Sequence, residues 1–154
     1  MTTTTTTTTT TTVNTAAAAT AGGIDAANFE NLVASFNEVD RLRDVALKSP
    51  NDEAALTAYV NARDAAHAAA RAAGLTPTVA RAAAGAAAEV LSAARGRLHT
   101  AWTDAVSAAG WPGASPPRAD HPQLKVAHEA AIKEFDATKA SWARVAIMAE
   151  YLRG

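Results

Sequence analysis

Four stretches of the chain repeat their apolar positions at helical spacing, and each is bounded by residues that start or stop a helix. In the first, Phe29, Leu32, Val33, Phe36, Val39 and Leu42 form one stripe, which predicts a helix over about 25–48. Asp25 stands where its carboxylate can accept from an orphan amide of the first turn. The second helix is expected over about 50–73. Its face is Ala55, Tyr59, Ala62, Ala66, Ala69 and Ala73, widened at the start by Leu56 and Val60. Ser49 is placed to cap it, Pro50 to take the first helical position, and Asp52 and Glu53 to complement the positive helix end. Gly74 suits the left-handed residue beyond its last turn.

The third and fourth stretches are longer. Thr76-Pro77 repeats the cap-then-proline order and opens a helix over about 77–109, with Gly110 past its end. Leu91, Ala94, Leu98, Trp102, Ala105 and Val106 make its stripe. Gly85 and Gly96 interrupt it, each costing about 1 kcal/mol against alanine in an exposed helix interior. Close packing is the other reason for glycine at either place, and a kink the other reason near Gly85. Asp120 caps a fourth helix over about 121–152. There Leu124, His128, Ala131, Phe135, Thr138, Trp142, Val145, Ala149 and Leu152 alternate steps of four and three, a heptad seam. Ile132, Met148 and Tyr151 flank it, and Glu129 and Lys133 are spaced for an i,i+4 ion pair on the outer face.

Links of a few residues make the first and second helices, and the second and third, antiparallel neighbours, and the eleven-residue link over 110–120 most simply joins antiparallel neighbours too. The first two helices would be about 36 Å long and the last two would approach about 50 Å at 1.5 Å per residue. The expected fold is therefore an all-α, antiparallel four-helix bundle over residues 24–154 whose second hairpin overhangs the first. An overhanging apolar seam needs a cover, which predicts self-association or a protein partner. Its candidate residues are Leu91, Leu98 and Trp102 with Leu124, His128, Ala131, Phe135, Trp142, Val145 and Leu152.

Composition sharpens this picture. Alanine fills 43 of 154 positions, and only 32 carry a larger apolar side chain. Alanine loses no side-chain entropy in a helix, so the composition favours helix with a thin core and closely approaching backbones. Residues 2–12 are eleven consecutive threonines, β-branched and without an apolar face. Residues 1–23 are expected to form a disordered or extended arm, either a tract without a role or an arm laid on a neighbouring subunit.

Charge and chemistry remove function classes. A net charge of −1 gives no global attraction to nucleic acid or to anionic lipid. With no cysteine, disulfides, cysteine zinc sites and cysteine nucleophiles are excluded. There is neither an apolar run long enough for a membrane span nor the basic and apolar regions of a signal peptide, and localisation stays open. Arg95 and Arg97 in "RGRLH" lie two apart, hence on different helix faces, and make no nucleic-acid patch. Asp64 and His67 have the carboxylate-x-x-His spacing of a di-metal bundle, but His99 follows Gly96 and His128 follows Lys125, so the second half-site is missing. His121 falls in the link and His128 on the seam. Without a nucleophile-elbow, zinc-protease or P-loop pattern, the chain is expected to be non-enzymatic, with no cofactor and no evident small-molecule substrate.

The link "GWPGASPPRADHP" contains Trp111-Pro112-Gly113. It is similar to the W-x-G turn of the WXG100 family, small helical hairpins exported by actinobacterial-type secretion systems, usually as dimers. The resemblance covers the last two helices. This link is longer than a hairpin turn, residues 1–74 have no counterpart in such a hairpin, and the trailing Y-x-x-x-D/E signal is absent: Tyr59 is followed four later by Arg63, and Tyr151 stands near the end. Helix termination by Gly110, Pro112 and Pro116-Pro117 explains the same residues physically. The expected function is a structural or interaction subunit of a larger assembly, for which a bacteriophage virion is the analogy. The alternatives are a secreted WXG100-like hairpin protein and a small ligand- or metal-binding bundle.

Overall fold

The computed structural model describes residue 20, residues 22–108 and residues 122–153. Residues 1–19 and 21 of the arm expected over 1–23, the Trp111-Pro112-Gly113 link, Asp120 and His121 lie outside the described residues. The described chain is a bundle of four helices: α1 (Ala26–Lys48), α2 (Glu53–Ala72), α3 (Pro77–Ala108) and α4 (Pro122–Tyr151).

Their ends are set by local chemistry. Asp25 accepts from the Asn28 amide at 3.0 Å and starts α1. The start of α2 differs from the sequence expectation. Ser49 ends α1, its amide donating to the Val45 and Ala46 carbonyls. Pro50 lies in the turn, and Asp52 caps α2 by accepting from the amides of Ala54 and Ala55 at 3.0 and 3.1 Å. A carboxylate three residues on outcompetes the serine hydroxyl because it carries full charge against the helix dipole. Gly74 takes φ +73°, and the Leu75 amide reaches back to the Ala70 carbonyl at 2.9 Å, closing α2 with a left-handed cap. Thr76 then caps α3, its hydroxyl accepting from Val79 at 3.3 Å.

The helices pack as three close pairs, α1 with α2, α1 with α4 and α3 with α4; α2 and α3, expected to be neighbours from their short link, do not pack along each other, because α1 and α4 lie between them. Arg97 of α3 pairs with Glu134 of α4, while Pro77 and Arg81 lie beside Ala149 and Arg153. The two helices therefore run in opposite directions. Their contact is built from small side chains, since Ala80, Ala83, Ala87, Val90, Ala94 and Ala105 are buried on α3 and Ala131, Thr138 and Val145 on α4. Thr138 buries its hydroxyl there by donating to the Glu134 carbonyl at 2.8 Å.

The main core lies where α1 and α2 meet the start of α3 and the end of α4. Phe29, Leu32, Val33, Phe36 and Val39 of α1 bury against Ala66 and Ala70, Leu75, Ala80 and Ala83, and Val145 and Met148. Phe36 is fully buried. The His67 ring meets it edge-on at 5.3 Å and the Tyr151 ring lies 6.0 Å away. Ala70 rather than Ala69 carries the buried row of α2, because the face drifts by one residue over the helix. Before α1, Gly22 sits so close to Val79 that a β-carbon would come within 2.5 Å of it. No such approach exists at Gly85 or Gly96, where a β-carbon would meet nothing within 4 Å.

Candidate interaction surface

The antiparallel α3–α4 pair is a two-helix plate with a face on either side of its alanine contact. One face receives α1 along the end of α4. Asn37 donates to the Arg144 carbonyl at 2.9 Å and the Tyr151 hydroxyl donates to Asp40 at 3.2 Å. Further along that face, Arg97, Ala101, Val126, Ala127 and Glu134 line an open groove. The second face lies opposite. Near α3's start it is a groove lined by Pro77, Arg81, Ala84, Trp142, Ala146 and Ala149. Towards the far end it continues as a groove lined by Arg95, Leu98, His99, Trp102, His128 and Ile132. The rows 81, 84, 88, 91, 95, 98, 102 and 128, 132, 135, 139, 142, 146, 149 step by three and four, so Leu91 and Phe135 join the two grooves into one surface.

This arrangement divides the seam residues between two places. Ala131 and Val145 are buried in the plate. Leu124, His128, Phe135, Trp142 and Leu152 are half-buried, as are Leu91 and Leu98. Leu152 packs against the main core, whereas His128 and Trp142 line the open grooves. Trp102 keeps 39% of its surface exposed and Ile132 38%. His99 stacks on Trp102 with ring centroids 6.4 Å apart. The sequence reading placed Ile132 only at the flank of the seam and missed Arg81 and Lys139 as members of this surface. The row of alanines at 80, 83, 87 and 94 was the available signal, since side chains that small bring two backbones together and push larger neighbours outwards.

The other candidates have local partners. His67 packs on Phe36, and Asp64 pairs with Arg63 at 2.9 Å. Among the described residues, no three of histidine, aspartate and glutamate converge as metal ligands. Arg95 and Arg97 separate as their spacing requires: Arg95 lines the second face and Arg97 reaches Glu134 at 2.7 Å. Glu129 faces Lys125 at 4.0 Å rather than Lys133. At the α1–α4 contact, the environment of Tyr151 changes its acidity. Burial pushes its hydroxyl above the ordinary value of 10.0, Arg43 opposes this, and Asp40 adds to it.

Chemically, the second face offers aromatic and aliphatic contact area with isolated cations, the makeup of a recognition surface. None of the helices described is long and apolar enough to cross a membrane. No protein-family model, curated protein or solved structure matches the chain.

Proposed function

We propose that this chain is a non-enzymatic structural or interaction subunit of a larger protein assembly, for which a bacteriophage virion is the analogy. The observation that carries the proposal is the open face of the α3–α4 plate, with Leu98, Trp102, His128 and Ile132 half-covered or exposed on a two-helix scaffold. Monomeric proteins rarely leave a large contiguous apolar patch in water without a use for it. Among the described residues, the six large apolar side chains that are most exposed fall at the α1–α2 tip (Val45, Leu47, Leu56) and on the overhanging plate (Trp102, Val126, Ile132). Both places are extremities, where an assembly makes its contacts.

Fractionation from its native source tests this. The chain should migrate in a complex well above its own 15.8 kDa. Trp102→Asp with Ile132→Asp should release it as a folded monomer. Wild-type chain at monomer mass with a small molecule bound would replace the proposal with a ligand-binding role.

A further inference from the structure

The charges along the two rows of the open face have one sign. Arg81 and Arg95 on α3 and Lys139 on α4 are exposed along the two rows that carry Leu91, Leu98, Trp102, Ile132, Phe135 and Trp142. Among the described residues, none of these three cations takes part in an ion pair. Of the residues lining the two grooves, only Glu150 is acidic, and Arg153 pairs with it at 3.2 Å. Unpaired cations therefore edge an apolar stripe, and they stand fourteen residues apart on α3, about 21 Å at helical rise.

We propose that this face binds an amphipathic helix of a partner protein whose apolar stripe is edged with aspartate and glutamate. The proposal rests on the interaction-subunit reading and names its partner's chemistry. The shape of the face supports a helix, because two helical rows spaced by three and four residues form a groove that takes a third helix by knobs-into-holes packing. The charge selects the helix. A second copy of this chain docking the same face on itself would bring Arg81, Arg95 and Lys139 against an identical cationic set, since a two-fold contact is self-complementary. An acid-edged helix meets each cation with an opposite charge and is steered to the face. Nucleic acid fits less well, because it needs a cluster of phosphate-spaced cations, and Arg81 and Arg95 stand about four helical turns apart on α3 with Leu91 between them.

Two fluorescent peptides test the assignment by anisotropy on the full chain. Each has about three heptads with leucine at a and d. One carries glutamate at e and g and the other carries lysine. The glutamate peptide should bind at least about tenfold more tightly at low ionic strength, and added salt should narrow the gap. Arg95→Glu with Lys139→Glu should reverse the preference. Both positions are exposed, and an unchanged circular-dichroism melt would establish that the variant folds. Equal affinities, no binding of either peptide, no reversal, or tighter binding of a single-stranded oligonucleotide would overturn the proposal. A dimer whose mass neither peptide alters would overturn it in favour of a second copy. Loss of charge preference with the native complex intact removes only this partner class. Loss of the native complex removes the assembly role itself.

Discussion

The two ends of the α3–α4 plate share one alanine contact but not one environment. At the start of α3, the plate is covered by α1, and Phe29, Phe36, Val39 and Met148 are almost completely removed from water. At the far end, among the described residues, the same pair of helices continues alone. Trp102 and Ile132 stay about two-fifths exposed there, and Val126 is 65% exposed. The chain supplies large apolar side chains to both ends. Burial depends on whether a second layer reaches them, because a two-helix pair can enclose only the residues between its axes. The covered end thus holds the stability, and the open end holds unspent apolar surface.

The largest effect that would break this contrast is at Phe36. Phe36→Ala should cost about 3–5 kcal/mol in a denaturant melt, as deleting a fully buried aromatic leaves a cavity. Trp102→Ala, the equivalent deletion at the open end, should cost less than about 1 kcal/mol. Equal losses would mean that the open end is as buried as the core in solution. Hydrogen exchange gives the same comparison without mutation. Amides of residues 98–106 should exchange at least about tenfold faster than those of residues 29–40, because the single-layer end opens locally. Equal protection would require the two ends to unfold together.

Smaller effects sharpen it. Tyr151→Phe should cost about 1 kcal/mol near neutral pH, through loss of the hydroxyl's bond to Asp40. It should also flatten the alkaline limb of stability. The folded hydroxyl titrates above its ordinary value of 10.0, so its stabilising contribution is complete below that value and falls as pH rises through the folded value. A variant with an unchanged alkaline limb would place Tyr151 in water. At the other end, Gly96→Ala should raise stability by up to about 1 kcal/mol, since a helical glycine is replaced by the best helix former. A β-carbon there meets nothing within 4 Å, so a loss on this substitution would reveal a partner backbone close to Gly96.

Residue by residue, the sequence was most readable where chemistry is local. Asp25, Gly74 and Thr76-Pro77 act where their backbone preferences placed them. Ser49-Pro50 misled, because a better acceptor, Asp52, stands three residues further on and periodicity cannot rank two adjacent caps. On α1 the large side chains carried the stripe and most of them are buried, whereas on α4 the heptad seam mixed plate-contact and open-face residues. A helix with neighbours on two sides has two apolar rows about one residue apart, and the sequence prints them as one.

By itself, then, the sequence determined the four helices and the caps at Asp25, Gly74 and Thr76, since propensity, capping and proline placement act over a few residues. Only the tertiary structure decided which apolar residues meet one another. It assigned alanines to the α3–α4 contact, placed Phe36 beneath His67 and Tyr151, and left Trp102, Ile132 and the cations Arg81, Arg95 and Lys139 on a shared open face. The reason is that burial is a relation between helices distant in sequence, and hydrophobicity at one position cannot specify which neighbour covers it.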